Sequence, residues 1–249
     1  MEAGLPRGIW IPVLVPAEAG EPAFHLLEEN LAMASGAEPA GFVVLGAWSE
    51  PAALGPSGRR RLYERTLAAS RRPVVLDLRQ LAPEEALDLL RLAPPAGLLS
   101  AEPPPAALLG GRELPWARVL PGLPPAGEAE AGGAPVWVEG LAALPPPGPG
   151  APPWPPGVVS VAAAVAPWHA ADLWRALAGG GGDSAAGRLL RALATLERRL
   201  GRNVATAKLA MELEGYFGGP ALDGGEEAGA DERWSMYTLL LELGLLRGG

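Results

Sequence analysis

Residues 41–54 read GFVVLGAWSEPAAL, and the order of residue types in this stretch decides the fold class. Phe42, Val43, Val44 and Leu45 form a short apolar run of the kind that makes a buried strand. Gly46 then permits a tight turn, and Ala47, Trp48, Ser49 and Glu50 follow just past the strand's C-terminal end. In a parallel α/β barrel that end is where active sites are built. Outward from here, strand and helix signals alternate. Residues 8–15, GIWIPVLV, read as the first strand. Residues 22–35 have helical spacing, with Phe24, Leu27, Leu31 and Ala34 on one face.

On the other side, residues 57–70 read as an arginine-rich helix with Ser57 as N-cap and Arg59, Arg60 and Arg61 on a solvated face. Residues 73–78, PVVLDL, give a third strand, 83–92 a third helix and 97–100 a fourth strand. Further strands are read at 116–120, at 136–139 and from Gly157. The stretch 102–115 leaves room for one short helix. The stretches 121–135 and 141–156 are proline-rich, which excludes long helices there. Residues 183–200, 203–213 and 232–246 read as three closing helices. The alternation predicts the α/β class, as a (β/α)8 barrel whose helices are shortened or lost around 102–156. Residues 1–178 form the truncated barrel, and residues 179–249 are C-terminal helices packed on the same domain.

A length of 249 residues suits one such domain. No apolar run approaches the roughly 18 residues of a membrane span, and the first residues carry no secretory signal, so the expectation is a soluble cytoplasmic protein. A net charge of −8 argues against nucleic acid or an anionic membrane as partner. With no cysteine, disulfides, thiolate metal sites and cysteine catalysis are all excluded. Two histidines argue against a multi-histidine metal site, and no metal or cofactor is expected. Nineteen arginines stand against a single lysine, Lys208, beside 34 glycines and 29 prolines. This composition reads as GC-rich coding in a thermophile.

Several segments together carry a family resemblance. The central loop is similar to a GTTGE motif, matched by Gly46, Glu50 and Leu54 but not by Ala47, Trp48 or Ser49. The first strand keeps Pro12 and Pro16, and the third is entered through Arg71 and Pro73. Residues 157–167, GVVSVAAAVAP, resemble a last strand and helix reading GVISVTANVAP, with Ala162 and Ala164 at its polar positions. Asn203, Lys208 and Ala210 fit an Asn-x-x-x-Lys-x-Ala segment, and LELGLL at 241–246 also fits. On these residues the chain resembles the dihydrodipicolinate synthase/N-acetylneuraminate lyase family of class I aldolase-type barrels.

The resemblance implies a lysine on the sixth strand that forms a Schiff base with a 2-keto acid, turning it into an electron sink. It also implies a proton-shuttling tyrosine on the fifth strand and threonines in the GTTGE loop. None of these side chains has a counterpart here. Lys208 matches a non-catalytic helix lysine, and Tyr63, Tyr216 and Tyr237 lie in helical or post-helical stretches. If residues 136–140 are the sixth strand, its Lys-Glu pair has become Val138-Glu139; in the other register they are the seventh, after deletion of a whole unit.

The residues left near strand ends are Ser49, Glu50, Asp77, Glu102, Glu139 and His169, the candidate catalytic set. Asp77 reads as a helix-start partner or a site carboxylate, and His169 as a cap, a surface residue or a lone base. Asp77, Glu102 and Glu139 offer oxygen ligands of the type that Mg²⁺ or Mn²⁺ takes, at a spacing common by chance in barrels. Gly46, Ala47, Trp48 and Ser49 are the candidate contact for a small carboxylate ligand, with Trp48 as a plug or a platform. The resulting expectation is a degenerate member of the family that binds, scaffolds or regulates. The other expectation is an enzyme on this barrel using carboxylate or metal chemistry. The mouth is expected to be apolar, lined by Val15, Ala47, Trp48, Ala162 and Ala164. The helix-poor flank 102–156, with Trp116, Val119 and Trp137 uncovered, is expected to be covered by a second copy or a paralogue.

Overall fold

The computed structural model describes residues 4–14, 21–46, 51–110, 113–123, 134–148, 151, 153–178, 184–201, 203–216 and 228–246. Seven parallel strands form a closed barrel in chain order: β1 (Gly8–Pro12), β2 (Gly41–Val44), β3 (Val74–Asp77), β4 (Gly97–Ser100), β5 (Trp116–Leu120), β6 (Val136–Glu139) and β7 (Gly157–Val159). β7 pairs directly with both β6 and β1, so the barrel closes with seven strands instead of the eight of the (β/α)8 pattern.

The outer layer holds α1 (Glu21–Ser35), α2 (Pro51–Ala69), α3 (Pro83–Leu92), α4 (Ala106–Leu109), α5 (Val161–Val165) and α6 (Pro167–Ala178). It continues into α7 (Ser184–Leu200), α8 (Val204–Leu213) and α9 (Ala230–Glu242). Between residues 102 and 156 the described helices are α4 and a 3-10 turn, Leu141–Ala143. No described helix is long and apolar enough to cross a membrane.

Local sequence accounts for these elements. The four apolar positions of α1, Phe24, Leu27, Leu31 and Ala34, are all buried. α2 is interrupted at Gly55, whose φ of 62° is left-handed, and resumes at Pro56. A proline is favourable in a first helical turn, because its missing N–H has no partner there anyway. Ser57 therefore lies inside the resumed helix and is not its N-cap. α8 is capped by Asn203, whose side chain accepts the Thr206 N–H at 3.0 Å.

The barrel lumen is filled by Trp10, Val43, Val75, Leu99, Ala117, Val119, Trp137 and Val159, with Leu5 and Ala40 packed against them. The centroids of Trp10 and Trp137 are 4.7 Å apart. Each tryptophan is in register with a glycine on the next strand, Trp10 with Gly41 and Trp137 with Gly157. A Cβ at Gly157 would lie 2.3 Å from the Trp137 ring, and one at Gly41 equally close to Trp10. An eight-stranded interior is just wide enough for side chains, and diameter falls with strand number. Two indoles fit in seven strands because glycines leave them the room. Val119 and Trp137 thus face the lumen, and Trp116 is half-buried, so the apolar flank expected on the outside is not formed by them.

The outer core is continuous. It joins Ile9, Phe42, Val44, Leu76, Leu98 and Val158 on the strands' outer faces to Leu193 and Leu196 of α7, Ala207 of α8 and Leu240 of α9.

Candidate site at the barrel mouth

Asp77 and Glu139 are the last residues of β3 and β6. Side chains alternate along a strand, so these two continue the lumen-facing rows of Val75 and Trp137. Asp77 is fully buried. Arg79, two residues on, folds back over it. Asp77 Oδ1 accepts the Arg79 backbone N–H and Nε–H, each at 3.0 Å, and Oδ2 accepts Nη2–H at 2.7 Å. The same guanidinium reaches Glu139, with Nη1 at 3.2 Å from Oε2 and Nη2 at 3.5 Å from Oε1. β3 and β6 are separated by two strands around the barrel, so Arg79 bridges the mouth.

Burial lowers the proton affinity of the Arg79 guanidinium, but hydrogen bonding to Asp77 and its charge, joined by Glu139, outweigh this and raise it overall. The group stays a cation. Gly46 lies beside the pair, where a Cβ would stand 3.1 Å from Asp77 Oδ2. Leu45 before it is fully buried at φ 59°, an uncommon conformation for leucine. The mouth is charged where it is described, not apolar, and Ala162 and Ala164 belong to the outer core.

The other candidates separate. Ala47, Trp48, Ser49, Glu50 and Val15 lie outside the described residues. Glu102 is exposed beyond β4. His169 is half-buried in the first turn of α6. Asp77 does not start α3, which is capped at Ala82 without a side-chain bond. Among the described residues no three histidine or acidic side chains converge as metal ligands. Val138 is buried in the outer core, so the β6 side chains facing the lumen are Trp137 and Glu139. Lys208 is buried within α8.

One polar group went unread in the sequence. Glu197 of α7 is buried at the ends of β6 and β7, where its Oε1 accepts the Ser160 hydroxyl at 2.6 Å. Its Oε2 accepts the Ala142 N–H at 3.1 Å. Gly140, at φ 98°, lets the chain turn against it. The available signal was a glutamate within the buried stripe Leu190, Leu193, Glu197 and Leu200. Burial pushes the Glu197 pKa up, opposed by bonds from Ser160 and the backbone of Ala142, Leu141 and Ala162. A raised folded-state pKa means stability that is fully present below the unfolded value and lost as pH rises through the folded one. Glu197→Gln is therefore expected to remove part of the decline in stability between acidic and neutral pH. Melting curves across that range check this, and an unchanged pH profile in the variant would contradict it.

No family model matches the sequence, and comparison with curated proteins finds no match. Solved structures do match. Dihydrodipicolinate synthase from Aquifex aeolicus superposes with a TM-score of 0.74 at 17% identity, covering 98% of this chain and 100% of that one. The enzyme from Thermotoga maritima gives 0.72 at 19% identity, covering 97% and 100%. YagE from E. coli K12, a prophage protein of the dihydrodipicolinic acid synthase family in complex with pyruvate, gives 0.70 at 15%, covering 96% and 99%. The chain has the fold of these proteins.

Proposed function

We propose that this chain is a degenerate member of the dihydrodipicolinate synthase family, a binding, scaffolding or regulatory barrel without imine-based lyase or aldolase chemistry. The observation that carries the reading is the Arg79 bridge. Imine catalysis needs an unprotonated amine facing a space that admits a carbonyl. At this mouth stands a guanidinium whose three nitrogens are already bonded to Asp77 and Glu139. The one lysine side chain in the sequence, Lys208, is buried in the helical layer. Carboxylate or metal catalysis has no observation in its favour, since Asp77 and Glu139 are engaged with one cation and Glu102 is exposed.

Within this reading, loss of the catalytic side chains and of outer helices between 102 and 156 are two signs of one relaxation. A small carboxylate would be held at Gly46–Ser49, and the protein would act in the cytoplasm as a homodimer or beside a paralogue. The second copy or paralogue would meet it at the flank 102–156, where no large hydrophobic is exposed among the described residues.

Pyruvate is the test ligand, since a structural neighbour was solved in complex with it. After incubation with pyruvate and borohydride, intact-mass measurement is expected to find no covalent addition. A pyruvyl adduct on Lys208 that forms only in the folded protein overturns the reading.

A further inference from the structure

Side chains alternate along β1, so Trp10 fills the lumen while Ile9 and Ile11 belong to the outer core. Outside these isoleucines the packing is incomplete. The residues that α5 and α6 bring there include three alanines, Ala163, Ala170 and Ala171, too small to close the space. A cavity of about 100 Å³ is left between β1 and α6. Protein interiors leave few voids larger than a water molecule, so an apolar space of this size that opens to the surface is a candidate ligand site. It lies outside the strands, apart from the Asp77–Arg79–Glu139 bridge.

The opening is lined by charges of both signs. Glu38, in the turn between α1 and β2, and Arg175 of α6 both border the cavity and are exposed. Glu38 has a φ of 59°, uncommon for a residue with a Cβ. Its N–H closes the turn on Ser35 O at 3.1 Å, which a glycine would do at no steric cost. The carboxylate is what a glutamate adds at this position. Each charge already has one partner. Glu38 Oε1 accepts Arg72 Nη2–H at 3.2 Å, and Arg175 donates Nη1–H to Asp172 Oδ1 at 2.6 Å. Such exposed pairs are worth little and yield readily to a ligand. Bonding capacity also remains, since among the described residues Glu38 Oε2 and the Nε–H and Nη2–H of Arg175 make no hydrogen bond.

We propose that this cavity binds a small α-amino acid with a branched aliphatic side chain, of the size of valine or leucine. An apolar cavity of about 150 Å³ holds benzene, so this smaller one suits an isopropyl or isobutyl group. That group packs on Ile9, Ile11 and the alanines, and the zwitterionic head stays at the opening. There the α-ammonium meets Glu38 and the α-carboxylate meets Arg175. A simple carboxylate would be repelled by Glu38 and a simple amine by Arg175, whereas a zwitterion complements both. A short tail and partly exposed charges make binding weak, with a dissociation constant on the order of 1 mM. The inference goes beyond the reading of the barrel mouth and stands whether or not that mouth is catalytic.

Titration of the isotope-labelled protein with leucine, followed by NMR to about 20 mM ligand, tests it. Saturable shifts are expected at the Trp174 indole N–H, beside Arg175 on the cavity wall, and at the Ala170 and Ala171 amides. Isocaproate and isoamylamine, each lacking one charge of leucine, should bind about fivefold more weakly or worse, the scale of one exposed ion pair. Lysine, with a charged tail, should leave these signals in place. Ala171→Leu fills the cavity and should abolish the leucine shifts. Glu38→Gln and Arg175→Gln change only exposed groups, so the fold is kept, and each should weaken leucine about fivefold. Absence of leucine shifts overturns the inference. So do equal affinities for leucine and either one-charge analogue, lysine binding as well as leucine, or leucine binding unchanged in both Glu38→Gln and Arg175→Gln.

Discussion

Gly157→Ala is expected to destabilise the barrel by about 3 kcal/mol, the upper end of overpacking costs, and to lower Tm by about 10 °C for a chain of this size. The added methyl would stand 2.3 Å from the Trp137 ring. Withdrawal of that indole is hindered, because it is already packed against Trp10, with centroids 4.7 Å apart. Backbone movement is resisted too, as β7 is paired on both edges. Truncating the ring in the same protein gives the decisive comparison. Trp137→Ala alone should cost about 3–5 kcal/mol, the usual loss for a large aromatic. Gly157→Ala placed on that background should cost little, because the methyl then enters the space the ring has left. The coupling between the two changes is the measurement, read from denaturant melts of the four proteins. Gly122→Ala, with nothing within 4 Å of the new methyl, is the control and should stay within about 0.5 kcal/mol. Additive costs for Gly157 and Trp137 would mean that the ring does not lie over the glycine.

That lumen shows where sequence reading stopped. The strands at 97–100, 116–120 and 136–139 and the helix at 83–92 were legible to the residue, because apolar runs and the 3.6-residue period are local signals. Which face of a strand points inward was not. Strands of a parallel barrel are buried on both faces, so alternation disappears, and Val119 and Trp137 read as an uncovered outer flank although they face the lumen. Gly157 read only as the start of a strand and Gly41 carried no reading of its own, because the tryptophan each accommodates is fixed by cross-strand register, far away in sequence. The mouth was half legible. Asp77 and Glu139 were identified from their positions at strand ends. Arg79 was passed over, because nineteen of the twenty basic residues are arginine and one more carries no contrast. Its partner Glu139 is sixty positions along the chain, a distance no local pattern spans. Glu197 was hidden differently, as one acidic residue on a helix with many charges.

Arg79→Met is expected to cost about 3–5 kcal/mol, the penalty for breaking a buried ion pair from one side. The substitution keeps the chain's bulk and removes the guanidinium bonded to Asp77, whose side chain has no contact with solvent, and to Glu139, which has little. The buried Asp77 carboxylate would then lose the guanidinium that holds both of its oxygens. Adding Asp77→Asn and Glu139→Gln to Arg79→Met removes the orphaned charges and should recover most of the loss at neutral pH, because a neutral replacement of a whole buried network is often tolerated. Urea melts of wild type, single and triple variants at neutral pH distinguish the outcomes. A single variant as stable as wild type at neutral pH would show that Arg79 does not hold the mouth closed. The same triple variant bears on function: with the bridge removed and the fold kept, borohydride trapping with pyruvate should still add no mass, because opening the mouth supplies space but no amine.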